Sequence, residues 1–92
     1  MRFQWDETKN QQNIRKHHIN FADVQAVFTG PMIIALDNRQ EYGEDRWIGM
    51  GFLLDVVVVV VWVEQTEDVI RIISARKANR QERERYEQFL AN

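Results

Sequence analysis

Ninety-two residues without a cysteine, 45% hydrophobic and 28% charged with a net charge of -2, describe one domain spanning residues 1–92, since a chain this size cannot bury two cores. That composition excludes a disulfide framework and a thiolate metal site, and the small negative charge argues against a generic polyanion binder. The charge is nevertheless uneven: residues 21 to 63 carry two basic and six acidic side chains, residues 64 to 92 carry six of each, and residues 1 to 20 carry four basic and two acidic beside His17 and His18. An anion site on this chain is therefore expected to be local, made where the two ends of the chain meet. The N-terminus, Met1-Arg2-Phe3-Gln4-Trp5-Asp6, has no apolar run of the secretory-signal kind, and the expected compartment is the cytoplasm.

Met1 to Trp5 places Phe3 and Trp5 at strand spacing, suited to docking aromatics on a core. Asp6 reads as an N-cap, with Glu7 in the first turn of a helix reaching about His17. That helix has one strong apolar residue, Ile14. Lys9, Asn13, Lys16 and His17 share a stripe at i, i+4, i+7 and i+8, a pattern that suits a solvated face as well as a binding face. A second helix start follows, with Asn20 as cap, Asp23 in the first turn and Ile19 placed to staple onto Val24. Phe21, Val24, Val27 and Phe28 supply its packing stripe, and Gly30-Pro31 ends it.

Met32 to Leu36 predicts a strand, Asp37 to Asp45 a polar turn, and Arg46 to Phe52 a second strand in which Gly49 and Gly51 mark a bulge or a close backbone approach. Asp55 then opens a run of six valines, Val56 to Val61, followed by Trp62 and Val63. Val is stiff at χ1 and fits a pleated surface, and an apolar run without alternation implies a strand covered on both faces. This is the expected central strand. A membrane span needs roughly 20 apolar residues, which Met50 to Val63, interrupted by Asp55, does not supply, and no membrane partner is expected. After the turn Glu64 to Asp68 comes a strand over Val69 to Arg76, in which simple alternation puts Arg71 and Arg76 on opposite sides. From Ala78 good helix formers take over, with Tyr86, Phe89 and Leu90 as the apolar stripe by which the helix docks. The expected architecture is α+β: a small antiparallel meander with two short N-terminal helices and one C-terminal helix.

No phosphate-binding glycine loop, metal signature or nucleophile elbow is present, and His17-His18 has no carboxylate or cysteine at ligand spacing. Neither metal nor cofactor is expected. The chain does resemble a family, through Phe3-Gln4-Trp5-Asp6-Glu7-Thr8-Lys9 leading to Asn13-Ile14-Arg15-Lys16-His17, then Phe21-Ala22-Asp23 to Val27-Phe28. The resemblance continues in Glu41-Tyr42-Gly43-Glu44-Asp45-Arg46-Trp47 and in Arg71-Ile72-Ile73-Ser74-Ala75-Arg76-Lys77-Ala78 with Glu82 and Tyr86-Glu87. These four blocks, in this order, resemble the BrnT-type toxins of bacterial type II toxin-antitoxin systems. The resemblance implies a RelE-like fold, metal-independent cleavage of RNA that inhibits translation, and neutralisation by a ribbon-helix-helix antitoxin through which alone DNA is contacted.

Metal-free RNA cleavage needs a proton acceptor for the attacking 2′-hydroxyl, cations for the developing phosphorane charge and a donor for the leaving oxygen. On the resemblance, His17 and Glu64 are the candidate acid and base. Arg46 and Arg76 are the phosphate clamps, for which guanidinium geometry is suited, and Tyr86 orients or donates a proton. Lys9, Lys16 and Arg80 are the candidate contacts to the RNA backbone. Family members often carry Thr-Glu-Arg after the valine-rich strand, where this chain has Val63-Glu64-Gln65; the missing cation implies weakened cleavage. Where glycine often follows the first-helix histidine, this chain has His18. The rival expectation is a non-catalytic, toxin-like module that only binds an antitoxin within an autorepressing DNA complex.

Overall fold

The computed structural model describes residues Met1–Asn92. Its elements in order are β1 (Arg2–Gln4), α1 (Glu7–His17), α2 (Phe21–Val24) running into a 3-10 turn (Gln25–Thr29), β2 (Ile33–Leu36), β3 (Trp47–Leu53), β4 (Val56–Thr66), β5 (Val69–Lys77) and α3 (Arg80–Ala91). The five strands form one sheet in the order β1-β5-β4-β3-β2. The valine strand is its middle member. Val58, Val60 and Trp62 enter one hydrophobic cluster with Phe21, Val24 and Val27, while Val57 and Val59 enter a second with Met50, Ala78 and Tyr86. Burial on both faces is what a run without alternation requires, and each valine so covered contributes about 1.5–3 kcal/mol of transfer free energy.

Three expectations need correction. The sheet is mixed: β2 to β5 form an antiparallel meander, but β1 joins β5 in parallel, with Arg2 opposite Val69 and Gln4 opposite Arg71. A strand at the start of the chain meets one near its end only through tertiary packing, so local sequence carries no sign of its direction. The two N-terminal helices are also unequal. α1 has 11 residues, whereas α2 has 4 before tightening into the 3-10 turn.

The third correction concerns β5. The register with β4 shifts between Val61 and Trp62, whose partners are Ser74 and Ile72, so that Ile73 is an extra residue. A one-residue bulge reverses the alternation beyond it. Ile70, Ile72 and Ala75 all enter the same cluster, and Arg76, opposite Val59, shares the other face with Arg71, opposite Val63. Gly49 and Gly51 mark close approach rather than a bulge: a Cβ on Gly49 would stand 2.8 Å from the Trp62 indole, and one on Gly51 2.7 Å from Val27.

Candidate nucleic-acid interface

α1 starts where Asp6 accepts a hydrogen bond from the Lys9 N–H at 3.0 Å, with Glu7 in the first turn. It ends at His18, in the left-handed region with φ 60°, whose N–H donates to the Ile14 carbonyl. Between these caps its buried residues are Asn10 and Asn13. Such a helix cannot dock by hydrophobic burial, and it docks by its amides instead. The Asn13 Nδ2 donates to the carbonyls of Ala75 at 2.9 Å and Ile19 at 3.0 Å, and its Oδ1 accepts from the Ala75 N–H at 3.2 Å. In this way the side chain stands in for a neighbouring strand, satisfying the backbone of β5 beyond the point where β1 stops pairing. The Asn10 Oδ1 accepts from the Phe21 N–H at 2.8 Å, and its Nδ2 donates to Asn20 Oδ1 at 3.1 Å, tying α1 to the start of α2.

This attachment lays α1 along the edge of β5 and leaves a trough of two adjoining depressions, about 320 and 350 Å³. Lys9, Gln12, Asn13, Lys16, His17, Ile73 and Ser74 line the first, and Lys16, His17, His18, Arg76 and Lys77 the second. No carboxylate lines either, on a chain with more acidic than basic residues. The whole stripe of Lys9, Asn13, Lys16 and His17 faces the trough. Burial, and after it the charges of Lys16, Arg76 and His18, pushes the His17 imidazole below its ordinary value of 6.5, which favours the neutral ring near pH 7. Arg76 donates from Nη1 and Nη2 to the two oxygens of Glu82 at 2.8 and 2.9 Å. This bidentate bond holds the Glu82 carboxyl at about 2 and keeps the guanidinium charged. Glu82 is fixed in turn by a capping box with Asn79 at the start of α3.

The structure does not bring the remaining expected residues to the trough. Arg46 stacks on the Tyr42 ring at 4.2 Å with Glu44 at 3.4 Å, and it lines a separate depression of about 310 Å³ among Asp37, Glu41, Glu44 and Asp45. These acidic surroundings disfavour phosphate. Glu64 is exposed and pairs with Ile70, five residues along β4 from the partner of Arg76, which is about 17 Å at strand rise. Tyr86 is fully buried, its hydroxyl donating to the Pro31 carbonyl at 2.7 Å and its ring edge-on to Phe52 at 5.1 Å, the contacts of a core anchor. Arg80 is paired with Glu84 at 3.1 Å, its side chain 85% exposed. Sequence reasoning missed His18, Ser74 and Lys77 as lining residues and Asn13 as the clamp. A signal for Asn13 existed, since a helix with Ile14 as its one strong apolar residue must be held by something polar.

The class that the fold and the trough define is a small α+β domain with a cation-lined, carboxylate-free trough beside its first helix. A family model describing the ribonuclease toxin BrnT of type II toxin-antitoxin systems matches residues 5–82, and the chain belongs to that family. The fold is also similar to the 1.1 Å crystal structure of the Brucella abortus ribonuclease toxin BrnT, at 27% identity and a TM-score of 0.68 over 87% of this chain and 99% of that one. No curated protein matches the chain. Family and fold together make this a type II toxin-antitoxin ribonuclease toxin, with an antitoxin as the partner that such a system implies. No helix is long and apolar enough to cross a membrane.

Proposed function

We propose that the chain is a metal-independent endoribonuclease toxin that inhibits translation by cutting RNA in the trough between α1 and β5. On this reading a cytoplasmic ribbon-helix-helix antitoxin neutralises it. The observation that carries the proposal is the trough itself: five cationic or imidazole side chains line its second depression without a carboxylate. Neutral His17 takes the proton of the attacking 2′-hydroxyl. The O2′–P bond forms, the P–O5′ bond breaks, and the leaving oxygen takes a proton from solvent. Arg76 and Lys77 stabilise the extra charge of the phosphorane, while Lys9 and Lys16 hold the flanking phosphates. Metal independence draws on the chemistry of the trough's lining, where His17 and His18 stand among Lys16, Arg76 and Lys77 without a carboxylate beside them, a cationic setting that disfavours a divalent cation.

Of the catalytic residues the resemblance implies, this assignment keeps His17 and Arg76, and it adds Lys77. Glu64, Arg46, Tyr86 and Arg80 act outside the trough, as surface, loop, core and helix-surface residues. The rival, a toxin-like module that only binds antitoxin, draws on one observation: both terminal nitrogens of Arg76 are already engaged by Glu82. Cleavage of total RNA in excess chelator separates the two readings. The proposal expects wild type to cut, with His17→Ala and Arg76→Ala each slowed about 10²- to 10³-fold, the loss typical of a removed transition-state donor. Gln65→Arg should match wild type, because Gln65 lies beyond Glu64 at the far end of β4. Cleavage that requires added divalent metal would falsify the mechanism. Folded wild-type protein that cuts nothing would establish the module instead.

A further inference from the structure

We infer that the free edge of β2 is a docking strand onto which an extended segment of the antitoxin adds as a sixth strand of the sheet. The inference rests on the toxin-antitoxin reading above and adds the surface and the chemistry of the partner. β2 ends the sheet order and pairs only with β3. In an antiparallel pair alternate residues turn their N–H and C=O away from the partner strand, and no loop backbone hydrogen-bonds to the outer side of β2.

Soluble proteins blunt such edges with charge, proline or a bulge, and Ile33-Ile34-Ala35-Leu36 has none of these. Both of its faces are apolar as well. Ile34 and Leu36 are 51% and 42% exposed on one side. On the other, Ile33 and Ala35 border a groove of about 130 Å³ floored by Ile48, Met50 and Val59 and rimmed by Glu82 and Arg85 of α3. An added strand would thus find backbone partners along its length and apolar contacts for side chains of both parities, which is how strand addition combines affinity with specificity.

Charge selects the occupant. Glu82 is committed to Arg76, whereas Arg85 makes no ion pair, so the groove presents an unmatched cation at its rim. The segment that fits is extended, with branched apolar residues on alternate positions and an Asp or Glu that reaches Arg85. A second copy of this chain fits less well, because a two-fold pairing of β2 strands brings a second Arg85 to the edge, whereas an antitoxin is the partner the toxin-antitoxin family implies. The opposite edge, where β5 and α1 form the cationic trough, is three strand spacings away, about 14 Å. Antitoxin grip and RNA binding are therefore separable by mutation.

The test uses the full-length toxin, tagged, co-expressed with the protein encoded by the adjoining reading frame. Wild type and Lys16→Ala should retain that protein on the tag. Ile34→Lys, a charge of the kind natural edges tolerate, and Arg85→Glu should each weaken binding by at least about tenfold, with melting temperature and RNA cleavage unchanged in Ile34→Lys. Retention of the partner by Ile34→Lys at wild-type affinity overturns the docking site and leaves the toxin-antitoxin reading intact. A wild type that captures no partner overturns both. A wild type that is dimeric alone, and monomeric as Ile34→Lys, assigns the edge to a second copy and overturns the proposed occupant.

Discussion

The two edges of the sheet are finished in opposite ways. Along β5 the backbone is closed by β1 for three residues and then by the Asn13 amide, so the helix that covers the edge is held by hydrogen bonds and keeps its charged side chains in solvent. Along β2 nothing closes the backbone, and the side chains around it are apolar. A polar attachment leaves cations free for an anionic ligand, whereas an unfinished apolar edge leaves strand pairing free for a protein. The difference teaches that where a sheet edge's backbone groups are satisfied matters as much as which residues stand near them.

The largest expected effect is on the strand both edges depend on. Val58→Asp or Val59→Asp buries an unpaired carboxylate in one of the two clusters, at a cost of several kcal/mol against a total stability of about 5–15 kcal/mol. Neither variant should give a cooperative melting transition; a melting point equal to wild type in either one would show that its face of β4 is not buried.

Asn13→Leu comes next and contrasts the edges directly. It strands three backbone groups, the N–H and C=O of Ala75 and the carbonyl of Ile19, for a loss of at least about 3 kcal/mol at about 1–3 kcal/mol for each unpaired buried group. Because the clamp seats His17 beside Arg76, RNA cleavage should also fall under conditions where the variant is still folded. Urea denaturation alongside a cleavage assay reads both effects. An equal loss of stability in Ile34→Lys, on the bare edge, would erase the contrast.

The Arg76–Glu82 pair sets an acid limit. Glu82 titrates at about 2 against an ordinary 4.5, a depressed folded-state value, so its contribution is complete above about 4.5 and is lost as pH falls towards 2. With the Arg76 side chain 37% exposed, solvent screening reduces this to on the order of 1–2 kcal/mol. Asp37, held at about 2 by the Arg39 guanidinium, adds loss over the same range. Melting temperature measured from pH 5 to pH 2.5 should drop less steeply in Glu82→Gln than in wild type; parallel curves would remove the pair from the account.

The smallest effect is a gain. His18 caps α1 with φ 60°, a region that costs a residue with a Cβ about 1 kcal/mol. His18→Gly should raise stability by about that amount by relieving the turn, measured by thermal melting; no gain would mean that the imidazole makes compensating contacts in the trough.

Much of this molecule was legible in its sequence because the deciding physics is local. The valines could only be a strand, and their lack of alternation already placed it in the middle. Asp6 and Asn20 announced their helices, since a cap acts on N–H groups two or three residues away. The stripe of Lys9, Asn13, Lys16 and His17 was fixed by helical period alone, although not whether it faced solvent or the sheet. Tertiary structure decided the rest. The direction of β1 depends on a partner more than sixty residues distant. The face on which Arg76 emerges was set by the extra residue at Ile73, because a bulge arises from how two strands fit together and reverses everything beyond it. The site residues divided for the same reason: His17 and Arg76 meet because Asn13 found the open backbone of Ala75, while Glu64 and Arg46, equally suited in chemical type, were carried elsewhere by the register of the sheet.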